Sequence, residues 1–220
     1  MSISESDKRN RIRILFTQFS VIIIIAVGLI VMAGWLLDKP FLKGILSDIV
    51  KMSFNAGLSF FLSGIAFFLL LPGQISSRTK KISKILSYIV IIFSLATLCE
   101  YIFTVELGID YLIIKTPILL KPFNNGRMSI FTCTSFILIG TSLLLISNNR
   151  FKNAELIKVL TTIIQLQCLL TIAVYSFNLY SIYFTLQLNP MALNTGLLLL
   201  LFSGSLHIFI NNDKKPKALR

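Results

Sequence analysis

The chain has 220 residues, of which 55% are hydrophobic and only 14% are charged. Soluble proteins carry about 25% charged residues, so a water-soluble fold of this length could not cover so much apolar surface. The 21 Lys and Arg residues outnumber the 9 Asp and Glu residues and give a net charge of +12. These basic residues stand in short clusters between apolar runs rather than on one face, which excludes a nucleic-acid binder and indicates a membrane protein.

Six apolar stretches are long enough to cross a bilayer, because a spanning helix needs about 20 mostly apolar residues. They cover approximately residues 14–37, 53–71, 85–103, 129–146, 159–177 and 192–210. The sequence therefore predicts an all-α integral membrane protein with a basic N-terminus at 1–13, a six-helix membrane domain at 14–210 and a tail at 211–220. The first stretch is longer than the apolar core of a signal peptide, so we expect it to remain as an anchor.

The distribution of Lys and Arg predicts the orientation of the chain. Fifteen of them lie before the first span, in the second and fourth connections and in the tail, whereas six lie in the other three connections. Because positive charge favours the cytoplasmic side, we expect a multi-pass protein of the cell (inner) membrane with both termini in the cytoplasm. The lipid bilayer is then its first partner.

The two longer connections on the outer side are apolar. Between Pro40 and Lys51 the apolar side chains share one helical face, with Lys43 and Lys51 among the polar residues opposite. This pattern predicts a short interfacial helix. The connection from Glu106 to Arg127 is equally apolar, and we expect both connections to cover the outer end of the bundle.

Three of the spans open on a methionine-led segment, which is an internal repeat. The candidate residues at these openings are Met52, Asn55, Met128, Thr132, Met191 and Asn194. Small residues follow the first two methionines at offsets of four and seven, on one helix face where membrane helices can approach closely. One helical hairpin lies between successive methionines, so the six transmembrane helices are predicted to form three parallel-repeat hairpins. Ser53 and Ser129 are positioned to cap their helices, and these openings either cap and pack the helices or contact a ligand.

Glu100 is the only acidic residue inside a predicted span, close to its outer boundary. A carboxylate at that depth must pair, take up a proton or meet water. Arg127, just before the fourth span, is its expected partner, with Tyr101 beside it and Asp110 in the connection above. A structural pair, a ligand or proton role and simple exposure all remain open for Glu100.

Several of these motifs together resemble a known family. The segment from Asn125 to Ser129 resembles the G-R-M-S-P-x-T-A signature of a six-helix membrane input module at the N-terminus of bacterial sensory proteins, although Ile130 replaces its proline. Leu98 to Tyr101 and Leu107 to Asp110 resemble the L-x-E-Y and L-G-I-D elements of that module, and Met191 to Gly196 resembles its closing helix. In that family the module precedes PAS, histidine kinase or diguanylate cyclase domains.

The resemblance implies a non-catalytic, membrane-embedded sensory or regulatory module. Too few residues follow Ile210 for a catalytic domain, so we expect this module to act through a partner signalling protein such as a sensor kinase or cyclase. The alternative is a small transporter or lipid-handling protein that uses the space under the outer connections. No nucleotide or metal motif is present, and the three cysteines fit packing positions. The sequence thus predicts no catalytic residues, no cofactor, no metal and no nucleic-acid partner, and it indicates no oligomeric state.

Overall fold

The computed structural model describes residues 5–44, 50–105, 107–109, 126–149, 152–179, 181 and 189–211. The helices in this part of the chain are α1 (Glu5–Leu36), α2 (Pro40–Lys43), α3 (Phe54–Phe68), α4 (Ser77–Phe103), α5 (Ile130–Asn149), α6 (Ala154–Ser176) and α7 (Leu193–Asn211). Each of the six apolar stretches predicted from the sequence coincides with one helix, although one of these helices is short. The all-helical class is confirmed for these residues.

Five of these helices, α1, α4, α5, α6 and α7, are long and apolar enough to cross a membrane. The sixth apolar helix, α3, has 15 residues and is about 22 Å long at a rise of 1.5 Å per residue. It ends at Phe68, and the chain continues through a turn in which Leu70 and Leu71 are buried. The described helices are thus compatible with a multi-pass helical membrane protein, with one helix shorter than predicted.

Three helices form the centre of the bundle and three lie outside it. The inner helices are α3, α5 and α7, and the outer helices are α1, α4 and α6. Each outer helix packs against two inner helices: α1 against α3 and α7, α4 against α5 and α3, and α6 against α7 and α5. Aromatic rings pack in the centre of the bundle. The ring centres of Phe60 and Phe136 are 4.8 Å apart, and the Phe67 ring contacts those of Phe202 and Phe209.

The face of each inner helix that was predicted to carry small residues is buried. All twelve positions at offsets of four, seven, eleven and fourteen from the methionines are buried: Ala56, Ser59, Ser63, Ala66, Thr132, Ser135, Ile139, Ser142, Thr195, Leu198, Phe202 and Ser205. Two of them bond directly to a neighbouring helix. Ser135 Oγ donates to Gln167 Oε1 at 2.8 Å, and the Ala66 carbonyl accepts from Ser83 Oγ at 2.9 Å. The predicted interhelical contact of this face is confirmed at these two positions.

Glycines twelve positions after the methionine mark close helix crossings in the first two hairpins. A Cβ at Gly64 would lie 2.7 Å from Ile25 Cγ1 of α1, and one at Gly140 would lie 2.6 Å from Ile91 Cγ1 of α4. In the third hairpin the glycine is displaced by one position to Gly204, where a Cβ would meet nothing within 4 Å. Close approach therefore depends on the exact helical position of the glycine.

The outer helices bury a stripe whose spacing alternates between four and three residues. Its positions are Thr17, Val21, Ile24, Gly28 and Val31 on α1, Ser83, Ser87, Val90, Ser94 and Thr97 on α4, and Ile157, Thr161, Ile164, Cys168 and Thr171 on α6. The next position in each series, four residues on, is an aromatic residue: Trp35, Tyr101 or Tyr175. The residue types at these positions differ between the three helices. The repeated spacing is therefore visible in the burial of the residues and not in their identities.

The interfacial helix predicted between Pro40 and Lys51 is a single turn in the structure. It covers Pro40–Lys43 and ends at Gly44, which has an extended backbone, while residues 45–49 lie outside the described residues. The polar side chain expected to face outward, Lys43, is only 7% exposed. Its ammonium lies 2.6 Å from the Asp38 carboxylate and 4.3 Å from the centre of the Trp35 ring. An ion pair and a cation–π contact together offset the cost of burying this charge, which corrects the prediction for Lys43.

Candidate functional site

The inner helices α3, α5 and α7 all begin at one end of the bundle, directly after Met52, Met128 and Met191. We call this the Met end. Each of the three methionines is 1% exposed. The first helical hydrogen bond is the same in each helix, since the carbonyls of Ser53, Ser129 and Ala192 accept from the N–H four residues later at 3.1, 2.9 and 3.0 Å. The three starts are therefore equivalent in backbone geometry.

The side chains at these starts differ. Ser53 Oγ accepts from the Ala56 N–H at 3.2 Å, and Ser129 Oγ accepts from the Thr132 N–H at 3.2 Å, so both serines cap their helices as predicted. Thr132 Oγ1 also lies 2.8 Å from Ser129 Oγ, within hydrogen-bond distance. The third start has Ala192 at the capping position, and its methyl group cannot accept a hydrogen bond.

The pairing expected between Glu100 and Arg127 is present at the Met end. Glu100 lies in the last turn of α4 and is 1% exposed, and its Oε2 is 3.4 Å from Arg127 Nη2. Its other oxygen, Oε1, accepts from the Leu107 N–H at 2.8 Å, just beyond the end of the helix. An ion pair and a backbone donor thus compensate a carboxylate that burial would otherwise penalise. Asp110, which was expected above this pair, lies outside the described residues.

Tyr101 connects the pair to the start of two inner helices. Its hydroxyl donates to the Met128 carbonyl at 2.9 Å and accepts from Asn189 Nδ2 at 3.0 Å. The Arg127 guanidinium carbon lies 5.4 Å from the centre of the Tyr101 ring, within the range of a cation–π contact. Sequence reasoning does not find Asn189, because it stands in a connection before Pro190 and belongs to no motif.

Trp35 makes the corresponding contact in the first hairpin. Its Nε1 donates to the Met52 carbonyl at 2.8 Å, and the Met52 N–H donates to the Lys43 carbonyl at 2.9 Å. An aromatic residue at the end of an outer helix therefore holds the methionine carbonyl in two of the three hairpins. The only sequence signal for this contact is that Trp35 and Tyr101 both lie at the end of an apolar stretch.

The remaining predicted residues fall at different places around the same end. Asn55 is 3% exposed and its Nδ2 donates to the Ile109 carbonyl at 3.4 Å. Met191 Sδ accepts from the Thr171 hydroxyl at 3.7 Å. Asn194 does not join this network and instead lines an apolar cavity between α1 and α7. The structure thus brings together Glu100, Arg127, Tyr101, Met128 and Asn189, with the other candidates at the edge.

Two cavities open near the Met end. The smaller, of about 20 Å³, lies between the starts of all three inner helices and is lined by residues that include Lys51, Ser53, Arg127, Ser129, Ala192 and Thr195. The larger, of about 310 Å³, is apolar and lies between Val27, Ile30 and Val31 of α1, Leu42 of α2 and the leucines of α7. The small cavity has a mixed lining that includes charged and polar side chains, whereas Asn194 is the only polar residue among the described residues that line the large one.

A second ion pair at the Met end joins Lys43 to the largely exposed carboxylate of Asp38. The hydrogen bond from Lys43, together with the charge of its ammonium, lowers the pKa of Asp38 below the usual value of a carboxyl group.

Within the described ranges no three His, Cys, Asp or Glu side chains come together as metal ligands. Cys99, Cys133 and Cys168 are free thiols, and the last two are buried in the bundle.

Comparison of the chain with protein-family profiles, curated proteins and solved structures finds no match. The resemblance to sensory input modules therefore depends on the quoted motifs alone. Of those motifs, Glu100, Tyr101, Arg127 and Met128 lie in one bonded network.

Proposed function

We propose that the chain forms a six-span membrane domain built from three parallel-repeat hairpins, α1 with α3, α4 with α5 and α6 with α7. The packing supports this arrangement, because each outer helix contacts the inner helix of its own hairpin and that of one neighbouring hairpin, in the same cyclic order. The matching stripes on the outer helices and the equivalent starts of the inner helices support it as well. Both termini lie on the cytoplasmic side, where most Lys and Arg residues are found.

Reporter fusions test this topology. We expect a reporter placed after Lys81 to be cytoplasmic, one after Phe123 to be outside and one at the C-terminus to be cytoplasmic, because spans alternate in direction and basic connections stay inside. A C-terminal reporter found outside would overturn the six-span arrangement and with it the outer position of the Met end.

We propose that this domain is a non-catalytic sensory or regulatory module that acts through a partner signalling protein. The observation that carries the proposal is the network of Tyr101, Arg127 and Asn189 around the buried carboxylate of Glu100. It joins the end of α4, the start of α5 and the segment before α7. A sensory module needs a place where an external event alters contacts between helices. This network is such a place, because its residues belong to the hairpin of α4 with α5 and to the segment that precedes α7 in the next hairpin.

Cross-linking in native membranes tests the partner. A photoreactive residue at Ile92, which is 63% exposed on α4, should capture a neighbouring membrane protein without disturbing the bundle. We expect a sensor kinase or cyclase, and we expect its activity to change when Tyr101→Phe removes the hydroxyl that bonds Met128. Tyr88→Phe, at a tyrosine that is 55% exposed, is the matched control. Unchanged partner activity in the Tyr101 variant would contradict the proposal.

A second candidate function, lipid handling, is favoured by the apolar cavity of about 310 Å³. This volume is in the range of small-molecule pockets, which are about 300–1,000 Å³. Leu201→Phe would fill part of the cavity, and for a lipid-handling protein it should reduce lipid exchange between vesicles that contain the purified chain. Wild-type vesicles with no exchange activity would exclude this second function.

A further inference from the structure

The small cavity at the Met end lies where three helix N-termini meet. Its lining comes from the starts of all three inner helices, so the positive ends of three helix dipoles face the same space. A volume of about 20 Å³ exceeds the roughly 10–15 Å³ that one water-sized group needs. The cavity can therefore receive one or two atoms of a ligand rather than a whole large molecule.

Two of the three helix starts already have an oxygen atom at the capping position, and the third does not. Ser53 and Ser129 accept hydrogen bonds from the N–H groups of Ala56 and Thr132. Thr195 holds the equivalent position in α7, three residues after Ala192. Because alanine has no acceptor, no side-chain oxygen among the described residues caps the Thr195 N–H.

The Thr195 side chain is a second and independent observation. Thr195 is 2% exposed and lines the cavity. Among the described residues its hydroxyl has no hydrogen-bond partner. The equivalent hydroxyl, that of Thr132, lies 2.8 Å from Ser129 Oγ. The Thr195 hydroxyl is thus available to a group that enters the cavity, beside the one inner-helix capping position that lacks an oxygen.

The charged side chains that line the cavity are basic. Lys51 and Arg127 both line it. The nearby carboxylate of Glu100 is already engaged by Arg127 and by the Leu107 N–H. A negatively charged oxygen in the cavity would be close to the Thr195 N–H and hydroxyl and to the charge of Lys51, in the manner of anions at helix N-termini.

We propose that the cavity binds the carboxylate group of a small molecule, with one carboxylate oxygen taking the place of the missing serine oxygen at Ala192. This inference rests on the proposed sensory function in treating the Met end as the sensing site, and it names the chemical class of the ligand. A carboxylate fits because an ionised oxygen is the acceptor that Asp supplies at other helix N-caps. The rest of the ligand lies outside the cavity.

Acetate binding to the purified full-length chain in nanodiscs tests the proposal. Trp35 is the only tryptophan of the chain and bonds the carbonyl of Met52, which lines the cavity, so its fluorescence reports on this site. We expect acetate to shift this fluorescence with a dissociation constant in the millimolar range, about −4 kcal/mol. Chloride and sulfate at equal ionic strength should give a response at least about tenfold weaker.

Ala192→Ser supplies the missing oxygen and is the decisive variant. It should raise the melting temperature without acetate, as N-cap serines do, and weaken acetate binding at least about tenfold. Ser76→Ala removes the N-cap of α4, whose bonds are exposed, and should leave acetate binding unchanged. If Ala192→Ser does not fold, Thr195→Val provides the test and should also weaken binding.

Three results would overturn the inference: no acetate response of the wild type up to about 100 mM, a limit far above millimolar affinity, equal responses to chloride and acetate, or unchanged acetate affinity in the folded variants. None of these results bears on partner capture, which is measured without acetate. Failure of the carboxylate site and failure of the sensory proposal are therefore distinguishable.

Discussion

The Met end and the opposite end of the bundle are held together by different chemistry. At the Met end, the two buried charged residues among those described, Lys43 and Glu100, each form an ion pair, with Asp38 and Arg127. At the opposite end a polar contact joins two helices, where Thr161 Oγ1 lies 3.1 Å from His207 Nδ1. The charged pair there, Lys158 with Glu155, has its carboxylate largely exposed.

This difference shows where the bundle is vulnerable to single changes. A neutral hydroxyl that loses its partner can bond a carbonyl of its own helix, whereas a buried carboxylate has no such alternative. We therefore expect loss of the buried Glu100 carboxylate at the Met end to cost far more stability than loss of a charge at the opposite end.

The largest effect is expected for Glu100→Gln. It leaves Arg127 without its buried counter-charge and should lower the free energy of unfolding by about 3–5 kcal/mol, the usual cost of breaking a buried pair from one side. Unfolding of the protein in detergent, followed by circular dichroism, measures this. The double variant Glu100→Gln with Arg127→Gln should recover part of the loss, because no unpaired charge remains.

Glu155→Gln is the control at the opposite end. Because its pair with Lys158 is exposed, the change should cost at most about 1 kcal/mol. Equal losses at Glu100 and Glu155 would remove the contrast between the two ends.

An intermediate effect is expected for Ser135→Leu, in the middle of the bundle. Ser135 is fully buried and donates to Gln167, so a larger side chain would push α5 and α6 apart and cost about 1–3 kcal/mol. Thr162→Leu places the same side chain at an exposed position of α6 and should be nearly neutral. If both variants unfold at the same temperature, tight packing does not limit stability in the middle of the bundle.

A smaller effect is expected for Tyr101→Phe. The change keeps the ring beside Arg127 but removes the hydroxyl between Met128 and Asn189, and one such hydrogen bond is worth about 1 kcal/mol. Thermal unfolding of this variant and of Tyr88→Phe, which is exposed, measures the difference. A loss for Tyr88→Phe as large as that for Tyr101→Phe would show that the bond to Met128 adds nothing.

The smallest effect is expected for Asp38, the largely exposed partner of Lys43. The hydrogen bond and charge of Lys43 lower the pKa of Asp38 in the folded state, so the pair stabilises the protein above the ordinary carboxyl pKa. This contribution is lost as the pH falls through the lowered pKa. The melting temperatures of wild type and Asp38→Asn should therefore differ slightly at pH 7 and converge in acid; a difference that grows in acid would contradict the sign.

The buried faces of the inner helices were predictable from the sequence, whereas those of the outer helices were not. The methionine-led starts and the small residues behind them repeat in the sequence, and their burial follows directly from that repeat. On the outer helices the equivalent positions are as different as Thr17, Ser83 and Ile157. They are all buried because each outer helix packs against two inner helices, and that similarity exists only once the helices are packed.

The candidate site was partly predictable for a similar reason. Glu100 and Arg127 are found because an ionised group in an apolar stretch must have a partner. Trp35 and Asn189 contribute through contacts to residues farther away along the chain, Met52 and Tyr101, and Lys43 through a bend that brings it to Asp38. No sequence motif predicts these three contacts. Lys43 in particular was placed outside because an isolated lysine favours water, whereas its partners at Asp38 and Trp35 make burial acceptable.

The hydroxyl groups inside the helices also bear on how such a chain enters a membrane during synthesis. Many of them bond a carbonyl one turn earlier in their own helix, as Thr17, Ser87 and Ser205 do, so each helix reaches the lipid with these groups already satisfied. Gln167 is different, because its amide bonds Ser135 and Thr134 of α5. We therefore expect the translocation machinery to release α5 and α6 into the bilayer together, while α1 is able to leave it alone.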